Sequence, residues 1–346
     1  PAFRTGIPHR RSPRYQMPMS HAPTIRPGRD ADAEGFIALI AACWSQYPGV
    51  LMDVDGELPE LRALASYYAA QGGALWAAED AAALVGMIAS KPLGVGDWEI
   101  CKVYVHPDRH GSGLGHALLD QAESHAIAAG ASRLKLWSDT RFDRAHRFYE
   151  KRSYIRSGPI RVLQDISHSL EFAYAKPVHG IEVLDAAAAS SAIPRLSALL
   201  ATAAHDARTC LIPPPARQPA PDFWRATARQ VATGEHLLLA GWINATLAAT
   251  LGVVLGGTPD QQHRAEFVTM LADPEAGTLA GPLLAEAERE ALARGRTLLT
   301  LRTGADGAGD TLCRAAGWQP LGRIPGYEMR PEGTLDDARF FWKRLA

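Results

Sequence analysis

An internal repeat constrains the fold of this 346-residue chain more than any other feature of its sequence. Three segments of the first half reappear in the second half, in the same order and at nearly the same spacing. The matched pairs are Glu99 and Glu266 at an offset of 167, Leu118 and Leu283 at 165, and Phe148 and Leu312 at 164. A period this long predicts one structural unit written twice, with small deletions in the second copy.

Each copy is predicted to have the same order of elements. A helical region is followed by a strand pair, an apolar strand, an amphipathic helix, another strand, a short helix and terminal strands. Strands mixed with crossover helices predict an α/β (α+β) unit with a mixed sheet. We therefore expect a flexible N-terminal tail over residues 1–23, one domain over 24–177 and a second over 178–346.

Charge and hydropathy exclude several classes of protein. The 36 basic and 37 acidic residues nearly cancel, so no global field favours nucleic acid or an anionic membrane. The uncharged segment Leu237–Gly257 is long enough to span a bilayer, but Asn244 and Ala245 divide it into two β-rich halves. A buried hairpin is the better prediction, and we expect no membrane or nucleic-acid partner.

The cysteines indicate a reducing compartment. Four cysteines in a chain of this length, with no CxxC pair, are not a disulfide framework and do not predict a zinc site. The first 23 residues also lack the apolar segment of a signal peptide. We therefore expect a cytoplasmic protein that binds no metal.

A glycine-rich loop lies between the apolar strand Glu99–Val105 and the helix that starts at Leu114. Gly111, Gly113 and Gly115 alternate at the helix start, where unsatisfied backbone N–H groups favour an anion. A phosphate cradle is one interpretation and a tight turn is the other. His116 stands where the dinucleotide fingerprint needs glycine, and no Gly-Lys-Ser/Thr follows, so neither common nucleotide motif is present.

Two segments carry a resemblance to a known family. VHPDRHGSGLGHALL from Val105 resembles the acetyl-CoA motif of the GNAT N-acetyltransferase superfamily, and AHRFYEKRSYIRSG from Ala145 resembles its second motif. The resemblance covers 24–177 well and 178–346 in layout only. It implies two tandem GNAT-like domains, each a mixed, mostly antiparallel twisted sheet flanked by helices, with a degenerate second copy.

The resemblance implies the reaction and the residues that bind its donor. Acetyl would pass from acetyl-CoA to a primary amine of a small molecule or peptide by direct attack, catalysed by the first domain. The pyrophosphate would lie on the loop amides and the pantetheine arm along the end of the strand. The residues implied in binding are Val103, Tyr104, Val105, His110, Gly111, Ser112, Gly113, Leu114, Gly115 and His116.

Two residues are implied in catalysis. Tyr149 matches the family tyrosine that protonates the departing CoA thiolate, although a core aromatic on a helix is the alternative. Glu99 matches the general base of the histone-type members. Because Glu266 holds the same place in the second copy, a shared structural role is the alternative for Glu99.

Two further features bear on binding. His110 stands where Gln or Arg is usual in the family, so we expect weaker cofactor binding or binding that strengthens at acid pH. Asp53, Asp55 and Glu57 lie between the first two helices, where they could attract a cationic amine. A solvated acidic loop is the alternative for these carboxylates.

The second copy is predicted to lack the chemistry. Thr278 replaces Gly113, Cys313 replaces Tyr149, and Glu275 would repel phosphate. We expect this copy to pair with the first in a structural role, as an internal pseudo-dimer in a monomer or within a homodimer. The alternative for the whole chain is a non-catalytic sensor or scaffold that binds acyl-CoA.

Overall fold

The computed structural model describes residues 23–81, 83–205, 210–212, 219–273, 279–329 and 333–346. Except for Pro23, the N-terminal tail predicted from the sequence lies outside these ranges. So do residues 274–278, which include two of the positions compared with the glycine loop.

The first half of the chain folds around an eight-stranded sheet. Its strands are β1 Thr24–Pro27, β2 Ala74–Asp80, β3 Ala83–Pro92, β4 Asp97–Val105, β5 Arg133–Asp139, β6 Ile155–Arg156, β7 Arg161–Val162 and β8 Leu170–Pro177. Their order is β1-β2-β3-β4-β5-β8-β6, with β7 also paired to β8. Among the described strands of this sheet, β4 and β5 form the parallel pair and the other pairs are antiparallel.

Helices cover both faces of this sheet. They are α1 Ala33–Trp44, α2 Leu64–Ala70, α3 Leu114–Ala128 and α4 Asp143–Lys151, with 3-10 turns at Asp30–Asp32, Pro59–Ala63 and Pro107–Arg109. One core forms between α1, α2 and the sheet, and a second between α3, α4 and the opposite face. The apolar row of α3 is buried at Leu114, Leu118, Ala122 and Ala126, as its four-residue spacing predicts.

The second half repeats this arrangement. Its strands are β9 Gly180–Val183, β10 Cys210–Ile212, β11 His236–Ile243, β12 Thr246–Val254, β13 Arg264–Ala272, β14 Leu298–Gly304, β15 Gln319–Met329 and β16 Leu335–Arg344. Their order is β15-β16-β14-β13-β12-β11-β9, with β10 on β13 and a parallel β13–β14 pair. Its helices are α5 Ala186–His205, α6 Ala220–Ala232, α7 Ala280–Ala293 and α8 Ala308–Ala315, with a 3-10 turn at Pro259–Gln261. The fold class predicted from the repeat, two tandem units with mixed sheets flanked by helices, is confirmed.

The uncharged segment forms a hairpin, as predicted. Strands β11 and β12 are antiparallel and almost entirely buried, and Asn244 and Ala245 make the turn between them with positive φ angles. No helix in the described part of the chain is long and apolar enough to cross a membrane.

A polar contact recurs at the same place in both halves. The Glu123 carboxylate of α3 accepts two hydrogen bonds from Lys176 Nζ on β8, each 2.9 Å long. In the second half, Glu288 of α7 accepts from Lys343 Nζ of β16 at 2.6 Å and from Trp318 Nε1 at 2.7 Å. In each half this contact joins the long helix, α3 or α7, to the strand that comes last in chain order, β8 or β16. Because a carboxylate with little access to water is costly without a cation, these pairs fix the helix position in both halves.

Candidate active site

The parallel strands β4 and β5 separate part-way along their length. They pair only from Asp97–Glu99 to Arg133–Lys135. Beyond Glu99, β4 stays paired to β3 up to Val105, but a register shift interrupts that ladder and Lys102 takes a left-handed φ of 53°. This bulge bends β4 away from β5. The result is a gap in the sheet beside Val103, Tyr104 and Val105.

Two cavities meet at this gap. One has a volume of about 590 Å³ and is lined by the glycine loop, so we call it the glycine-loop cavity. The other has a volume of about 560 Å³ and lies against β4, β5 and the loop before β8; we call it the acidic cavity. The residues that line both are Trp44, Val103, Tyr104, Phe142, Ala145 and Tyr149. These shared residues place Tyr149 and Tyr104 at the junction of the two cavities.

The glycine loop presents open backbone at the start of α3. Gly111 and Gly113 have φ angles of 80° and 88°, which L side chains rarely adopt, and Gly113 is the N-cap residue of α3. A Cβ at either position would meet no atom within 4 Å, so none of the described residues fills the space above the loop. The loop therefore offers helix N-terminal amides to an anion in the cavity.

The glycine-loop cavity is positively charged. Its lining includes Arg109, Arg144, Arg147 and Lys151, and none of the described residues that line it is Asp or Glu. Arg109 is paired with Asp80 across the loop. A surface with this balance suits a polyanionic ligand.

His110 is held by two hydrogen bonds. Its Nε2 lies 3.0 Å from the Val105 carbonyl oxygen and its Nδ1 lies 2.6 Å from Arg144 Nη1. Because the carbonyl must accept and the guanidinium must donate, the geometry assigns a neutral imidazole that carries its proton on Nε2. Burial and the nearby Arg144 lower the pKa of His110 below its usual value, which favours the same form. His110 thus orients Arg144 instead of presenting a charge of its own.

The acidic cavity has the opposite charge. The carboxylates that line it are Glu57, Asp139, Asp165 and Glu171, whereas Lys102 is its one Lys or Arg among the described residues. Arg141 donates two hydrogen bonds, of 2.9 and 2.5 Å, to the Asp139 carboxylate. Although burial opposes it, this contact lowers the pKa of Asp139. The cavity thus places carboxylates beside aromatic walls, and Arg141 favours the ionised form of Asp139.

Two loops cover the acidic cavity, and hydrogen bonds join one loop to the other. Leu51 and Ser167 exchange hydrogen bonds of 2.8 and 3.2 Å, and the Ile166 N–H donates to Glu57 Oε1 at 2.6 Å. Arg141 Nη1 donates to the Gly49 carbonyl at 3.0 Å. These contacts hold the loop after α1 against the loop before β8, so the roof is part of the folded structure.

A buried phenol and two half-buried thiols lie beside the gap. The Tyr149 side chain packs against the rings of Tyr154 and Tyr174, with centroids 6.0 and 5.9 Å apart, and burial raises its pKa. Burial also raises the pKa of Cys43 to about 11 and that of Cys101 to about 12. Cys43 lines the glycine-loop cavity and Cys101 the acidic one. Both thiols stay protonated near neutral pH, so neither is an activated nucleophile.

Comparison with known proteins assigns the domain that contains this gap. The sequence profile of the acetyltransferase (GNAT) family matches residues 37–154. By this match, residues 37–154 carry a GNAT acetyltransferase domain. No curated protein matches the chain.

Many solved structures are similar to this chain. They include an acetyltransferase from Streptococcus agalactiae 2603, with 19% identity, 45% of this chain and 99% of that chain covered, and a TM-score of 0.40. A ribosomal-protein-alanine N-acetyltransferase from Brucella melitensis has 18% identity over 48% of this chain and 99% of its own, with a TM-score of 0.41. Ard1 from Thermoplasma volcanium has 19% identity over 46% of this chain and 100% of its own, with a TM-score of 0.38.

The residues predicted from the two GNAT motifs come together in the structure. Most of the ten residues implied in cofactor binding line the glycine-loop cavity, namely Val103, Tyr104, Val105, His110, Gly111, Gly113, Gly115 and His116. Ser112 and Leu114 do not line it. The Ser112 hydroxyl donates to the Arg109 carbonyl, and Leu114 packs into the core beneath α3.

Glu99 lies apart from this group. It sits where β4 and β5 are still paired, and it lines neither cavity. Its carboxylate is 3.6 Å from Lys91 Nζ on β3, and its side chain is only 15% exposed. The position along the strand matches the family base, but the surroundings are those of a structural ion pair.

Of the three carboxylates predicted between the first two helices, only one lines a described cavity. Asp53 accepts a hydrogen bond from the Gly56 N–H at 2.8 Å, and Asp55 pairs with Arg62 at the surface. Neither lines a described cavity, whereas Glu57 does. Three further carboxylates of the acidic cavity are not predicted from the sequence: Asp139 at the end of β5, and Asp165 and Glu171 before and within β8. The one sequence signal for them is the polar end of β5, in RLKLWSD.

The second half differs at the position of the tyrosine. Cys313, which the repeat aligns with Tyr149, lies on α8 and is buried in the core, where burial raises its pKa to about 12. The compared loop residues Glu275 and Thr278 lie outside the described residues. In the described part of the chain no group of three or more His, Cys, Asp or Glu side chains is arranged to hold a metal.

Proposed function

We propose that the chain transfers an acetyl group from acetyl-CoA to a primary amine of a small molecule or peptide, by direct attack. One observation carries this proposal: two cavities of opposite charge meet at Tyr149 through the gap between β4 and β5. A polyanionic thioester and a cationic amine could therefore reach the same point from opposite sides.

The donor side fits acetyl-CoA. The pyrophosphate would lie on the amides between Gly111 and Gly115, where the chain leaves space and the surrounding charge is positive. The pantetheine arm would run along Val103–Val105, whose edge facing β5 is unpaired. A backbone N–H of this edge would polarise the thioester carbonyl as it gains negative charge.

The bond changes are simple on this geometry. The amine nitrogen attacks the thioester carbonyl carbon, an N–C bond forms, and the C–S bond breaks with its electron pair on sulfur. Tyr149 donates its phenolic proton to the departing thiolate. The attacking ammonium must first lose a proton, which a carboxylate lining the acidic cavity takes directly or through water. The raised pKa values of Cys43 and Cys101 support direct attack over an acyl-cysteine route.

We assign this reaction to the domain over residues 24–177. The domain over 178–346 would be structural, because a buried Cys313 stands where the first domain has Tyr149 and no phenolic proton donor is present at that position. We propose that the two form an internal pseudo-dimer in a monomer or within a homodimer. Cytoplasmic location is supported by the free thiols of Cys43, Cys101 and Cys313.

Two measurements test the proposal. Acetyl-CoA at a hundred times its Kd should stabilise the protein by about 2.7 kcal/mol, which is read as a rise in Tm. Release of free CoA should then appear with at least one amine from a panel of amino acids, polyamines, aminoglycosides and peptide amines. A Tm that does not change when acetyl-CoA is added would contradict the proposal. Binding without release from any amine would favour a non-catalytic sensor or scaffold.

Glu99→Gln tests whether the strand carboxylate is a base. Because Glu99 pairs with Lys91 outside both cavities, CoA release should stay within about threefold of the parent rate, whereas removal of a general base costs about 10²–10⁴. The rate is measured at saturating acetyl-CoA and amine, with Tyr149→Phe as the impaired reference. A hundredfold loss with an unchanged Tm would restore Glu99 to the catalytic group.

A further inference from the structure

Strand β10 occupies a position in the second half that is open in the first. The repeat aligns β4 with β13 at an offset of 167, so Met270–Leu271 corresponds to Val103–Tyr104. Both parallel ladders end early along these strands: β4 pairs with β5 over three residues, and β13 pairs with β14 over four. Beyond that point the sheet of the second half has a gap at the same place as the sheet of the first.

In the second half this gap is filled by the chain itself. Strand β10 runs antiparallel to β13, with Cys210–Ile212 opposite Met270–Leu271. The other side of Met270–Leu271 is already paired with β12. Because a strand has only two sides that can pair, β10 lies on the side that faces β14, and it contacts both β14 and α8. Its side chains at Leu211 and Ile212 are buried.

Small residues on α8 make room for β10. A Cβ placed on Gly309 would overlap the carbonyl oxygen of Leu211, so the backbone of α8 lies directly against the strand. Cys313 packs in the same core as Leu211. At the offset of 164, these two positions on α8 correspond to Ala145 and Tyr149, which line both cavities of the first domain. The side chains of α8 are smaller at both positions, and β10 takes up the space.

We propose that β10 takes the place of the pantetheine arm in the second domain, so that this domain binds no acyl-CoA and each chain binds one donor. The position of the arm in the first domain rests on the proposed function. Loss of the tyrosine alone would leave a domain that binds acyl-CoA without reacting, whereas an occupied gap removes binding itself. A paired strand also satisfies the backbone groups of β13 that a ligand would otherwise have to satisfy.

Two measurements on the full chain test this proposal. Calorimetric titration with acetyl-CoA should give one site per chain. Hydrogen–deuterium exchange should be slow over residues 268–272 of β13 before any donor is added and should not change afterwards. Over residues 101–105 of β4, exchange should slow at least about threefold when acetyl-CoA binds. Two sites per chain, or protection of β13 that appears only with acetyl-CoA, would overturn the proposal.

Gly309→Ala tests the fit of the strand without a donor. The added methyl group must displace β10, so exchange over residues 268–272 should become about tenfold faster, while exchange over β11 should not change. Unchanged exchange over residues 268–272 would overturn the proposal. If faster exchange extends to β11, the domain has unfolded, and the titration and exchange of the parent protein decide.

The control is Gly281→Ala. Gly281 lies on α7 of the same domain, and a Cβ placed on it would meet no atom within 4 Å. Exchange over residues 268–272 should match the parent protein in this variant. If acetyl-CoA does not bind the parent protein at all, the proposed function fails, and the comparison of Gly309→Ala with Gly281→Ala still decides whether β10 fills the gap.

Discussion

Replacing Tyr149 with phenylalanine should lower the rate of CoA release about a hundredfold, within the range for loss of a general acid. The phenol lies where the two cavities meet, and burial keeps it protonated. The ring remains in the variant, so packing against Tyr154 and Tyr174 is kept. Acetyl-CoA affinity should stay within about twofold, because the hydroxyl acts on the leaving group and not on the bound donor.

Tyr154→Phe is the matched control for this experiment. It removes the hydroxyl of a buried tyrosine that packs against Tyr149 and lines neither cavity. Its rate of CoA release should match the parent after correction for any loss of folded protein. Full activity in Tyr149→Phe would assign the proton donor elsewhere, and Tyr104 at the same junction would be the next residue to replace.

Gly113→Val should weaken acetyl-CoA binding about a hundredfold, equivalent to about 2.8 kcal/mol. Gly113 has a φ of 88°, and a β-branched residue there is strained by about 1–2 kcal/mol. The new side chain also projects into space that the chain leaves open above the N-terminus of α3. Both effects remove the anion site that the loop amides provide. Titration calorimetry with acetyl-CoA measures the loss directly.

Gly130→Val separates strain from binding. Gly130 follows the other end of the same helix and has a φ of 91°, and a Cβ placed on it would likewise meet no atom within 4 Å. Its substitution should lower Tm by a similar amount and leave acetyl-CoA affinity unchanged. Equal loss of affinity in both variants would mean that the effect of Gly113→Val comes from unfolding.

The sequence is informative where a function depends on local backbone. The glycine spacing fixes the left-handed turns before α3, and Tyr149 follows from a motif within one helix. The repeat also predicts both mixed sheets, because apolar periodicity determines which elements pack together. These features depend on residues that are close together in the chain.

Contacts between distant segments are harder to predict. The register of β3 against β4 places Glu99 opposite Lys91, and Glu99 stays outside the gap because the β4–β5 ladder still includes it. The carboxylates of the acidic cavity come from a loop after α1, the end of β5 and the region of β8. Their convergence is a property of sheet order. Asp53 and Asp55 look equivalent to Glu57 in sequence. Their carboxylates, however, bind residues that are close in the chain, Gly56 and Arg62 respectively.

The role of His110 shows the same limit. As a sequence substitution it indicates a cradle with less charge than usual for the family. In the structure its neutral ring bridges Val105 and Arg144, so a cation from α4 stands beside the loop. The sequence shows Arg144, Arg147 and Lys151 at helical spacing. That these cations lie beside the glycine loop follows only from the packing of α4 against α3.

The separation of β4 from β5 creates an edge in the middle of a sheet. An exposed edge usually invites any extended chain to add as another strand, which is a route to aggregation. Here the edge is enclosed by Trp44 of α1 and by Phe142 and Ala145 at the start of α4. The unpaired edge therefore faces the two cavities and not the open surface of the sheet. A ligand that completes the ladder must reach it past these side chains.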